Sequence, residues 1–272
     1  MVVINGKQYT SKKHPMLEYI FQRYYDTTKN KETITFYLSD ISEGYRKAGI
    51  SEPASISNTI LDLCRKKSSI HSRVPQSISA LGYDLRKKTG RGSNGNYAGE
   101  FVYVGVGHEL QSWLSWPESP EVTTISSKPI PLLARKIVRN DEAGLFSVID
   151  YLDIFSKIMG HKVFRVQNPM KWQPNEIDGF YTATVNGKTF VYPIEAKALT
   201  TGDDINLDQM EGAFRTVINK MDGLGLKVSV QQIAIRMIEN GIDIAIFSSN
   251  LAPVTPEKRA RIKFDPEIEN WK

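Results

Sequence analysis

The sequence predicts an α+β protein of two domains, and three observations carry that prediction. A proline-, serine- and threonine-rich stretch from Trp113 to Pro131 interrupts the chain near its middle. The basic excess lies on one side of it: residues 1–110 hold 16 Lys and Arg against 10 Asp and Glu, net +6, while the remainder holds 19 against 20, net −1. On both sides, apolar residues recur with helical spacing in some segments and with strand-like alternation in others. A chain of 272 residues that is 40% hydrophobic can build two modest cores. The expected layout is a first domain over 1–110, an extended linker over 111–132 and a second domain over 133–272.

In the first domain, His14-Pro15-Met16 opens a helix with Leu17, Ile20, Phe21 and Tyr24 on one face. A short strand at Thr33–Phe36 follows. Ser39 caps a second helix to about Ala48, Gly49 stops it, and a turn through Ser51-Glu52-Pro53 leads to a third helix from about Ser55 to Lys67. Strand-like runs at Ala80–Leu85 and Glu100–Val104 flank a loop from Arg86 to Asn96. This order resembles a winged helix-turn-helix. The resemblance implies that the third helix enters the DNA major groove, with Ser55, Ser57 and Asn58 towards base edges. An Asn58 amide there can pair bidentately with adenine. Arg65, Lys66 and Lys67 suit phosphate contacts, or equally a basic helix end that complements the dipole. Arg86, Lys87, Lys88 and Arg91, set among glycines, form either a wing along the phosphates or a solvated hairpin tip.

In the second domain, Leu145, Val148, Ile149, Leu152, Phe155 and Ile158 make one apolar stripe, so Asp141 to Met159 is expected as a helix that Gly160 ends. A strand over 161–167 follows, in which His161 is read as a structural or surface histidine. Two strand-like runs then flank Asn186-Gly187, the strongest short-range hairpin signal. Asp203 or Asp204 can cap a helix running to about Met221, and apolar strands at Ile233–Ile238 and Ile242–Phe247 close the order.

Asp178 lies eight residues before Asn186 and Glu195 eight after Gly187, so a tight hairpin brings them to the same end of the sheet. Alternation puts Glu195 and Lys197 on one face. They interrupt an apolar run from Phe190 to Leu199, where charged residues are seldom buried without a purpose. Two converging carboxylates suit Mg²⁺, which keeps several waters and takes one or two such ligands, and an adjacent ammonium can stabilise charge on a phosphate.

Asp178, Glu195, Ala196 and Lys197 resemble, residue by residue, the motif of the PD-(D/E)XK nuclease superfamily, over roughly Asp141 to Asn250. The resemblance implies a restriction-endonuclease-like α/β core, a mixed sheet flanked by helices, and Mg²⁺-dependent hydrolysis of double-stranded DNA. Asp178, Glu195 and the Ala196 backbone carbonyl would ligate the metal, and Lys197 would polarise the phosphate or the attacking water. Two departures stand out: Ile177 occupies the nominal proline position, and Pro193 is awkward inside a strand. Glu142 is read as a helix-dipole carboxylate or, by the resemblance, as a further acidic ligand. Gln209 is an ordinary helix residue or a glutamine beside the active site.

The function expected is that of a type II restriction endonuclease, acting on its DNA as a homodimer because symmetric sites are cut by symmetric pairs. The alternatives are a repair, transposon-associated or modification-dependent nuclease, and a winged-helix transcription regulator whose second domain is inactive. Cys64 is the single cysteine, which excludes an internal disulfide or a thiolate metal cluster. No Walker-type loop calls for a nucleotide cofactor, and no long apolar run calls for a membrane, so a cytoplasmic protein is expected.

Overall fold

The computed structural model describes residues 2–4, 6–64, 70–88, 90–110, 112–117, 121–172, 175–199, 204–250 and 255–271. The chain divides into two units, Met1–Ser112 and Trp113–Lys272. Among the described residues, no helix is long and apolar enough to cross a membrane.

In the first unit, the helix His14–Tyr25 buries Met16, Leu17, Ile20 and Phe21. Strand Thr33–Tyr37 leads into the helix Leu38–Ala48, which Gly49 ends at φ 70°. Asp40 fixes that junction by accepting from the Tyr37 backbone N–H at 2.8 Å and from the Tyr24 hydroxyl at 2.9 Å. Of the expected third helix over 55–67, the described residues form a 3₁₀ turn at Ile56–Asn58 and an α-helix at Thr59–Leu63, and residues 65–67 lie outside them. Ser55 and Ser57 hydroxyls bond each other at 3.2 Å. Two single-turn helices, Ile70–Arg73 and Gln76–Ser79, precede strand Tyr83–Lys87. The long strand Gly95–Tyr103 is the centre of the sheet, antiparallel to Thr33–Tyr37 on one side and to Tyr83–Lys87 on the other.

The second unit is built on an eight-stranded mixed sheet. Its order from one edge is Val122–Ser126, Pro256–Asp265, Gly241–Phe247, Ile233–Ile238, Lys188–Lys197, Gly179–Val185 and Phe164–Gln167, with Val228–Val230 beside the start of Lys188–Lys197. Neighbours are antiparallel except where Lys188–Lys197 meets Val228–Val230 and Ile233–Ile238, and where Val122–Ser126 meets Pro256–Asp265. The helix Leu207–Gly223 packs Ala213, Phe214, Val217 and Met221 with Phe180, Val191 and Val230. Side chains of opposite parity on the same strands, among them Tyr181, Ala183, Tyr192, Ile194 and Ala196, pack instead with the helices Glu142–Tyr151 and Ile154–Met159.

Three sequence expectations change here. The helix expected over 141–159 is broken, with Asp153 at φ 50°. Leu152 and Ile154 are both buried, yet on one ideal helix they would stand about 200° apart, so the break is what lets both enter the core. Of the expected linker over 111–132, the described residues 113–117 and 121–132 fall within the second unit. Leu114 is buried and its N–H bonds the Ile205 carbonyl at 3.0 Å, and the β-branched run at Val122–Ile125 forms an edge strand. Finally, Pro256–Asp265 is a strand not expected from the sequence, because its cations mask an alternation in which Ile262 and Phe264 point inward.

Pro193 sits inside a central strand without breaking it. Val228–Val230 pairs with residues 189–191 and Ile233–Ile238 with 194–197, so Pro193 falls in the gap between the two parallel partners. The N–H it lacks is not needed there.

A candidate active site at the end of the hairpin

Asn186 at φ 50° and Gly187 at φ 75° make the tight turn, and pairing runs without a slip from Val185↔Lys188 to Gly179↔Ile194. One step further puts Asp178 opposite Glu195. There the backbone ladder stops, because the preceding strand Asn175–Ile177 leaves to pair with Met170–Trp172. The Asp178 carboxylate takes over, accepting the Ala196 N–H at 2.8 Å. Within a strand the N–H and C=O of one residue face the same side, so the Ala196 carbonyl is directed to the Asp178 side as well.

Glu195 is only 3% exposed. One carboxylate oxygen accepts from the Lys197 ammonium at 2.5 Å, and the other accepts from the Gln209 amide at 3.0 Å. Asn206, rather than Asp204, caps the helix that carries Gln209, its side chain accepting the Gln209 N–H at 3.0 Å. Asp203 lies outside the described residues. Glu142 starts the helix Glu142–Tyr151, capped by Asp141, and accepts the Ala198 N–H at 3.2 Å. The structure therefore brings together Asp178, Glu195, Lys197, Gln209 and Glu142. His161 stands apart from them and bonds the Tyr192 hydroxyl at 2.9 Å, a structural role.

The electrostatics of the corner are unbalanced. Burial, reinforced by the negative charges of Asp178 and Glu142, pushes the Glu195 carboxyl up to about 8 despite Lys197. Burial also raises Asp178, against the Ala196 N–H and Lys197. Burial works against the Lys197 ammonium, but Glu195, Asp178 and Glu142 outweigh it and hold its pKa above the ordinary value. Three carboxylates thus face one ammonium, and with all of them ionised the corner carries a net −2. Among the described residues no group of three or more His, Cys, Asp or Glu forms a ready-made metal cage. The donor set is two facing carboxylates and a backbone carbonyl, which matches the sparse, water-completed coordination of Mg²⁺.

Arg236 was missed by sequence reasoning. Parallel register places it beside Lys197, and Asp243 holds its guanidinium by bonds of 3.0 and 2.9 Å. The signal was present: an arginine inside the apolar run Ile233–Ile238 is the same anomaly that singled out Glu195.

In the first unit, Ser55, Ser57 and Asn58 are exposed at the 3₁₀ turn, whereas Arg65, Lys66 and Lys67 lie outside the described residues. The four loop cations are not alike. Arg86 and Lys88 are bound to the buried carboxylate of Glu100, Lys88 at 2.7 Å. Lys87 is part-buried, and burial lowers its pKa. Arg91, on the short strand Arg91–Gly92, is exposed. Compared with family models, with curated proteins and with solved structures, the chain matches none.

Proposed function

We propose that this protein is a Mg²⁺-dependent endonuclease of the PD-(D/E)XK kind that hydrolyses phosphodiester bonds in double-stranded DNA, with sequence-specific restriction as its task. The observation that carries the reading is the convergence at the hairpin end of half-buried Asp178 and buried Glu195 beside Lys197, where burial and the neighbouring carboxylates push the Glu195 carboxyl up to about 8. A site with unmatched carboxylates out of water is costly unless a cation completes it.

Asp178, Glu195 and the Ala196 carbonyl would hold the ion. When bound, Mg²⁺ acts as a Lewis acid on the phosphate and lowers the pKa of a coordinated water. Lys197 donates to a non-bridging phosphate oxygen or orients the attacking water, supplying positive charge where the transition state gathers negative charge. Gln209 fixes the rotamer of Glu195, and Glu142 holds the backbone just beyond Lys197 through Ala198. In the first unit, the order helix, strand, helix, short helix and hairpin supports a winged-helix reader. It would present Ser55, Ser57, Asn58 and Arg91 to the duplex.

The test is to incubate plasmid and genomic DNA with the full chain, with and without Mg²⁺, and to map the ends. Cutting at one recurring sequence is expected only with Mg²⁺. Lys197→Ala should lower the cleavage rate by about 10²–10³-fold, the scale of losing one charge-stabilising donor, while DNA affinity changes little. Undiminished cutting by that variant refutes the assignment, and sequence-specific binding with no Mg²⁺-dependent nicking identifies a regulator instead.

A further inference from the structure

The two edges of the eight-stranded sheet are built differently. Phe164–Gln167 is a four-residue strand that carries Arg165 and meets its neighbour through a register shift, which are common devices for discouraging further pairing. The opposite edge, Val122–Ser126, has none of them. It reads Val-Thr-Thr-Ile-Ser, with no charge, no proline and an unshifted register against Pro256–Asp265. Among the described residues no strand pairs with its outer side. Val122 is 52% exposed.

A short turn beyond this strand, the helix Leu132–Ile137 buries none of its side chains. Leu132, Leu133 and Ile137 are 61%, 69% and 62% exposed. Three large apolar side chains stand exposed on one short helix five residues beyond an open strand, the kind of patch that marks a protein–protein contact. Charge identifies what covers them. Exposed Glu121 precedes the strand and exposed Lys128 follows it. When two copies of the strand lie antiparallel about a two-fold axis near Thr124, the acidic end of each meets the basic end of the other at both margins. The strand between these ends holds no ionisable group, so self-pairing sets no like charges opposite one another.

We propose that Val122–Ser126 and the helix Leu132–Ile137 are the homodimer interface of this protein, joining the sheets of two copies across a two-fold axis with the exposed leucines and Ile137 packed beside the joint. Such an isologous contact closes on itself and does not propagate. It goes beyond the nuclease reading and stands independently of it, although it would supply the second active site that a double-strand cutter needs.

The experiment is light scattering on the full chain after size exclusion, at tens of micromolar and without DNA. The expected mass is twice the 30.7 kDa of one chain. Thr124→Lys, which sets two ammoniums across the axis, and Leu133→Glu should each give the single-chain mass with an unchanged circular dichroism spectrum. Glu121→Lys should weaken dimerisation by about tenfold, and Glu121→Lys combined with Lys128→Glu should restore it. A wild-type monomer, or a dimer that Thr124→Lys and Leu133→Glu leave intact, overturns the proposal. Because the readout is mass, a dimer that cuts no DNA counts against the nuclease reading and leaves this interface standing.

Discussion

Glu195 concentrates the chemistry at the scale of a single residue. Its neighbours Ile194 and Ala196 belong to the core on the other face of the sheet, so the strand cannot rotate to release the carboxylate into water. Lys197 and Gln209 satisfy its two oxygens, but Asp178 and Glu142 still repel it. A divalent cation held between the proposed ligands would relieve that repulsion in the folded state alone, so it should stabilise the protein. At a Mg²⁺ concentration about tenfold above its dissociation constant, the gain is about 1.4 kcal/mol, a rise in Tm of roughly 3–6 °C. Asp178→Asn and Glu195→Gln should each remove this shift. A thermal melt with and without Mg²⁺ decides the matter: an equal rise in both variants would place the ion elsewhere.

At the scale of elements, the site is assembled from a hairpin and the starts of two helices. The Asn186-Gly187 turn sets a register that one slipped residue would invert, moving Glu195 into the apolar layer and Ala196 out of it. The helix that carries Glu142 enters the site through a close backbone approach at Gly144. A Cβ added there would lie 2.0 Å from the Arg139 carbonyl oxygen, so the chain from Arg139 to Gly144 would have to move. Gly144→Ala should therefore cost about 1–3 kcal/mol of stability and shift Glu142 away from the Ala198 N–H. Melting temperature and cleavage rate should both fall in this variant. Wild-type values in both would show that the helix entry has room to spare.

At the scale of the whole molecule, the chain forms two units with separate cores and different charge. The first core is built around Met16, Ile34, Phe36 and Phe101, and the net +6 of residues 1–110 lies with it. The second unit sets Glu195, Lys197, Arg236 and Asp243 inside apolar strands. DNA affinity should fall steeply with salt, since cations that neutralise phosphates release counterions. The cations of the first unit should not contribute equally. Lys87→Ala with Arg91→Ala should flatten the plot of log affinity against log salt by about 0.9 for each phosphate that is no longer neutralised. Arg86→Ala strips a partner from buried Glu100 and should lower stability instead. Titrations of DNA binding across salt concentrations, alongside melts, separate the two effects; equal slopes for the Lys87/Arg91 double variant and the wild type would remove these residues from the interface.

The sequence by itself determined what depends on local periodicity and turn chemistry. The hairpin at Asn186-Gly187, the shared face of Glu195 and Lys197, the helix Leu207–Gly223 and the strands after it were all legible, because each is a short-range preference repeated over several residues. Asp178 opposite Glu195 was legible too, since equal arm lengths on a two-residue turn leave little freedom. Only the tertiary structure decided the rest. The break at Asp153 serves packing from several strands, and Val122–Ser126 and Pro256–Asp265 become paired strands across a wide separation in the chain. The commitment of Arg86 and Lys88 to Glu100, and the hydrogen bond of Gln209 to Glu195, likewise arise between different elements. A charged or polar residue announces its chemistry in the sequence, but whether it meets water, a partner or a neighbouring carboxylate is fixed only when distant segments close around it.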